Sequence, residues 1–135
     1  MKTYLLQRRR GLMQIQNVQT IQAYSYRERE DLLPAAVDAI VRCGGWVLDR
    51  SNISEITLCF QLEIELRSVF DLYAALLAVG MEMTRSGHRA LAGLCTCGRY
   101  AQKSELHQVL QMQLEISFLH EIAPQWLLMA HPARA

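Results

Sequence analysis

Two stretches of the chain alternate between apolar and polar residues. In the first, Ile56, Leu58, Phe60, Leu62, Ile64 and Leu66 are separated by Thr57, Cys59, Gln61, Glu63 and Glu65. In the second, between Val109 and His120, Leu110, Met112, Leu114, Ile116 and Phe118 are separated by Gln111, Gln113, Glu115 and Ser117. Successive side chains of a strand point to opposite faces, so a period of two predicts strands with one face buried and one wet. Val18–Tyr26 is rich in β-branched and aromatic residues and predicts another strand, with a bulge near Asn17. Trp46 to Arg50 predicts a short strand that ends in the turn residues Ser51 and Asn52.

The period changes elsewhere. Leu32, Leu33, Ala36, Val37, Ile40 and Val41 fall at helical spacing and make one apolar stripe over Arg29 to Cys43. Pro34 lies within the first turn or so, and Glu28, Glu30 and Asp31 complement the positive end of the helix. Gly44 and Gly45 close it as a C-cap would. A second stripe, Val69, Leu72, Tyr73, Leu76 and Leu77, follows an N-cap at Ser68 and ends near Gly80. Beyond the Ser86-Gly87 break, the small apolar run Ala90 to Thr96 reads as a strand, with a helical continuation as the alternative, and Gly98 to Leu106 as a loop.

The resulting order is strand, helix, strand, strand, helix, strand, with an additional C-terminal strand. This predicts an α+β, ferredoxin-like βαββαβ fold with two helices on one face of an antiparallel sheet. Residues 17–120 form the domain in this reading. A basic N-terminal arm, residues 1–16, precedes it, and residues 121–135 form a tail with an apolar cluster at Trp126, Leu127, Leu128 and Met129.

Within that order, residues 29–53 resemble the opening of an ACT domain, the small amino-acid-sensing regulatory module. The resemblance rests on Arg29-Glu30-Asp31-Leu32-Leu33, Ala36, Ile40, Cys43-Gly44-Gly45-Trp46-Val47 and Asn52-Ile53. The family usually has glycine just before the leucine pair, where its backbone approaches the ligand; Asp31 stands there in this chain. The resemblance implies that a ligand's charged groups are held by the loop Tyr26-Arg27-Glu28-Arg29, beside Asp31 and opposite Ser51, Asn52 and Ile53. Arg27 and Arg29 suit a carboxylate because the guanidinium fork binds it bidentately, and the adjoining helix N-terminus favours an anion.

Composition narrows the partners. A formal charge of +1 removes the global electrostatic case for nucleic acid or an anionic membrane. The opening Met-Lys-Thr-Tyr-Leu-Leu-Gln lacks the apolar run of a secretory signal, so a cytoplasmic protein is expected, with Cys43, Cys59, Cys95 and Cys97 reduced. Cys95-Thr96-Cys97-Gly98, with His88 and His107 nearby, is a candidate metal cluster, but no second ligand pair stands at a recognisable spacing. Small core thiols are the favoured reading, and no metal or cofactor is expected. Glu63, Glu65 and Glu115 share one predicted sheet face and could act as acid or base. Beside Gln61, Gln111 and Gln113 they read better as a solvated surface. With no phosphate loop or nucleophile elbow in the chain, no catalytic residue is assigned.

The expectation is a dimeric, stand-alone ACT-like module binding a small amino-acid-type ligand, its interface including Trp126, Leu127 and Met129. The alternative is a protein-interaction subunit without a small ligand. Exposed sheet edges that need covering favour the dimer.

Overall fold

The computed structural model describes residues 18–121. The N-terminal arm and the cluster at Trp126, Leu127 and Met129 lie outside these residues. Five strands and three α-helices follow the order β1 (Gln19–Ser25), α1 (Arg29–Arg42), β2 (Trp46–Asn52), β3 (Thr57–Glu65), α2 (Val69–Ala78), β4 (Glu82–Met83), α3 (Arg85–Tyr100) and β5 (Val109–Phe118). The protein is α+β.

The alternating stretches became β3 and β5, paired antiparallel with Leu58 opposite Ile116, Phe60 opposite Leu114, Leu62 opposite Met112 and Ile64 opposite Leu110. On the far side of β5, β1 pairs in parallel, and Ile21 and Ala23 sit opposite Leu114 and Ile116. These residues are all buried and line one face of the sheet. Leu32, Ala36 and Ile40 of α1, Leu72 and Leu76 of α2, and Leu91 and Leu94 of α3 complete the same core.

Four features depart from the sequence reading. The sheet is mixed, because β1 and β5 run parallel. Its order is β2-β3-β5-β1-β4, so the additional strand is central rather than appended. Three helices are present, because Ala90 to Thr96 belongs to α3 and the helix continues to Tyr100. Ser51 and Asn52 are the last residues of β2, so the turn comes after them.

Local chemistry explains the helix ends. At the end of α1, Gly45 N–H donates to the Ile40 carbonyl and Gly44 N–H to that of Val41, both at 2.9 Å. This is a Schellman closure, and Gly44 supplies the left-handed residue at φ 88°. The end of α2 repeats it with Gly80 at φ 105°, as Met81 and Gly80 donate to Leu76 and Leu77. Pro34 lies just past the first turn of α1, on its exposed side, where water can take the carbonyl it leaves without a donor. α3 begins with Thr84, whose hydroxyl accepts from Gly87 N–H at 3.1 Å.

Candidate functional site

The β1–α1 loop lies at the ends of three elements. The buried Ser25 hydroxyl donates to the Gly80 carbonyl at 2.8 Å and accepts from Arg27 N–H at 3.1 Å. The Arg27 stem lies so close over Gly80 that a Cβ there would approach Arg27 Cδ to 2.4 Å. Its guanidinium donates to the carbonyl of Val79, the residue that closes α2. A cation at that end of a helix is stabilised by the exposed carbonyls and the macrodipole. Arg27 therefore serves as a helix cap.

Arg29 does hold a carboxylate bidentately, and the carboxylate is that of Glu121. Its Nε and Nη2 donate to Glu121 at 3.0 and 2.8 Å, and Nη2 also donates to the Glu55 carbonyl at 3.1 Å. The guanidinium carbon sits 4.6 Å above the Phe118 ring, a cation–π arrangement. Arg29 thus ties α1, the β2–β3 turn and the end of β5 together. Asp31 is exposed in the first turn of α1, Ser51 and Asn52 are exposed on β2, and Ile53 is exposed in the turn where its N–H donates to the Thr57 carbonyl. Arg29 and Glu55 link the start of α1 to the β2–β3 turn, and both arginines are engaged inside the chain.

The Arg29 hydrogen bonds hold the Glu121 carboxyl below its usual range. A depressed carboxyl pKa adds stability that is complete above about pH 4.5 and disappears as the pH falls through the folded-state value. For a pair with side chains 26% and 31% exposed, we expect Arg29→Gln to cost about 1 kcal/mol at pH 7 and less at pH 3. Urea unfolding of both proteins at the two pH values checks this; an equal cost at both would show that the ion pair contributes nothing.

The cysteine candidates separate. Cys95 and Cys97 lie on α3, where residues two apart point roughly 200° from each other. Among the described residues no group of three or more His, Cys, Asp or Glu side chains converges as a metal site would. His88 is hydrogen-bonded to the Tyr73 hydroxyl and links α3 to α2. Glu63, Glu65 and Glu115 do share the sheet face opposite the helices, in register with Gln111, Val109 and Cys59. Glu65 is held by Arg67 at 2.6 Å, which pulls its pKa down, and Glu115 accepts from Gln22 at 3.4 Å.

A concave site that the sequence reading missed lies between α2 and α3. Leu66, Arg67, Phe70, Cys95, Thr96, Gly98, Arg99 and Leu106 line a cleft of about 500 Å³. Its walls are fixed by backbone bonds: Leu66 N–H donates to Gln108 at 2.9 Å and Arg67 N–H to Leu106 at 3.0 Å. Beside Leu106, a capping box places the Glu105 carboxylate on Gln102 N–H at 2.8 Å. Leu66, Phe70, Leu106 and Cys95 make an apolar interior, and burial raises the Cys95 thiol pKa. Arg67 is paired with Glu65, whereas Arg99 has no hydrogen bond or ion pair among the described residues. Phe70, 67% exposed, was the available signal: an aromatic residue outside the stripe that packs α2 on the core.

Comparison of the chain with known protein families, curated proteins and solved structures finds no match. No described helix is long and apolar enough to cross a membrane.

Proposed function

We propose that the chain is a small-ligand-binding regulatory module of the ACT-like kind, with recognition as its task, and that the ligand enters the cleft between α2 and α3. The observation that carries this reading is the cleft itself. It is preformed, mostly apolar and bounded by the Arg99 guanidinium, which is unpaired among the described residues, and its size falls in the small-molecule range of roughly 300–1,000 Å³. The β1–α1 loop, where the ACT resemblance puts the ligand, is disfavoured because Arg27 caps a helix and Arg29 already holds a carboxylate.

Strand order supports the ACT-like assignment. Setting β5 aside leaves β4-β1-β3-β2, with β3 separating β1 from β2 as in a split βαβ unit. On this reading α3 and β5 are an extension that inserts its strand between β1 and β3.

A thermal-shift screen against amino acids, nucleotides and small carboxylates tests the module. A ligand at about 100 times its Kd adds roughly 2.7 kcal/mol to the folded state. A rise in Tm is expected that is lost when Phe70→Asp removes the apolar wall of the cleft and puts a negative charge in its place. A flat screen would shift the assignment to the second reading, a protein-interaction subunit or homodimer. That reading is favoured by the exposed apolar residues Trp46, Leu48 and Ile53 on and beside the edge strand β2. Against it stand the bulge between Val47 and Asp49 and the charges of Asp49 and Arg50, devices that discourage edge pairing.

A further inference from the structure

Resting on the small-ligand reading above, we infer that the cleft between α2 and α3 takes a monoanionic amphiphile, a carboxylate on an apolar body of the alkanoate type, with Arg99 binding the head.

The charge pattern selects the head. Arg67 contributes little free charge because Glu65 holds it at 2.6 Å, and His107 also lies 3.6 Å from that carboxylate. Arg99 is left as the guanidinium without a partner among the described residues, and its planar fork matches a carboxylate. The first turn of α2 contributes Phe70 to the cleft, and the positive end of a helix adds to the attraction for an anion. With Arg67 neutralised by Glu65, Arg99 is the single uncompensated charge of the lining among the described residues, so one negative charge on the head is matched and a second has no counter-charge there.

The lining selects the body. Leu66, Phe70, Leu106 and the Cys95 thiol offer apolar surface, and Gly98 leaves the α3 wall without a side chain at that point. The hydroxyl of Thr96 is occupied with the Ala92 carbonyl at 3.0 Å, so it makes no demand on the ligand. An amino acid would bring an ammonium group for which the lining has no carboxylate, and its buried cation would go unpaired. An alkyl or arylalkyl chain requires no such partner.

Cys95 reports occupancy. It lines the cleft, whereas Cys43 and Cys97 are not among the lining residues. Alkylation of the full chain by iodoacetamide, with each thiol quantified by peptide mass spectrometry, is compared in octanoate, octanol, acetate and octyl phosphate. Octanoate is expected to slow modification of Cys95 severalfold while Cys43 and Cys97 keep their rates. Octanol, acetate and octyl phosphate are expected to protect less. Arg99→Gln removes a charged hydrogen-bond partner from an exposed position and is expected to weaken octanoate binding about tenfold or more, with Tm unchanged. Equal protection by octanol, or full affinity in Arg99→Gln, overturns the role of Arg99 and the anionic head. Protection by a nucleotide or an amino acid and not by octanoate overturns the ligand class and leaves the module intact. Protection by none of the screened compounds overturns both.

Discussion

Phe118→Ala is expected to lower the free energy of unfolding by about 3–5 kcal/mol, the range for removing a fully buried phenyl ring. The ring is completely inaccessible at the end of β5, opposite Ser25 of β1. Three connections converge on it. Phe118 N–H donates to the Ile56 carbonyl at 2.7 Å, the Arg29 guanidinium covers the ring at 4.6 Å, and the Arg29–Glu121 pair follows immediately in the chain. Deleting the ring leaves a cavity that the sheet cannot close, because Ile116 on the same strand is itself pinned between Ala23 and Leu58. Calorimetry should show Tm falling by more than about 10 °C. Phe118→Leu, which keeps most of the volume, should lose less than half as much. Equal losses would mean that the site depends on the aromatic face toward Arg29 rather than on filled space.

Two glycines of α3 are expected to respond oppositely to the same substitution. A Cβ at Gly87 would come within 2.4 Å of the Gln22 carbonyl oxygen, a backbone atom of β1 that already accepts from Thr84 N–H at 3.0 Å. The helix would have to lift from the sheet, and Gly87→Ala is expected to cost about 2–3 kcal/mol. At Gly93 a Cβ meets nothing within 4 Å, and the position is exposed. There alanine removes only the backbone freedom of glycine and is expected to add about 0.5–1 kcal/mol. Urea midpoints with unchanged slopes would measure both. A neutral Gly87→Ala would show that α3 does not depend on its close approach to β1. Because the C-terminal half of α3 carries Cys95 and Arg99, the same variant should also perturb the cleft.

The contrast between these glycines explains much of what the chain reveals about its own fold. β3 and β5 were legible because each buries one face and wets the other, so the period of two survives in the sequence. α1 was legible through its broad stripe and its Gly44-Gly45 ending. α3 was not, because its contact with the core is narrow: Gly87, Leu91 and Leu94 are its buried residues. Gly87, Gly93 and Gly98 also suppress the helical signal, and Ser86-Gly87 looks like a break although both lie in the first turn. The order of strands was illegible for a different reason. Nothing local in Val109 to Phe118 says whether it joins an edge or enters the middle of a sheet.

The candidate site divides in the same way. The sequence groups Arg27 and Arg29 as loop residues suited to carboxylates; Arg27 lies in the loop and caps α2, whereas Arg29 opens α1 and holds Glu121. Their partners, Val79 and Glu121, lie 52 and 92 residues away, and no short-range pattern encodes such pairings. The cleft was missed because its lining comes from the turn after β3, the first turn of α2, the last turns of α3 and the segment before β5.

The central place of β5 also bears on how the protein is made. As the chain leaves the ribosome, β1 must wait for β5 until synthesis has passed Phe118; Gln22 and Glu115 are joined across 93 residues. Such long-range pairing is slow, because the chain entropy of closing the loop is lost before contacts repay it. Meanwhile the inner edges of β1 and β3 have no strand between them and are open to strands of other nascent chains. Recovery of folded protein is therefore expected to depend on growth temperature and expression rate, even in variants whose equilibrium stability is unchanged.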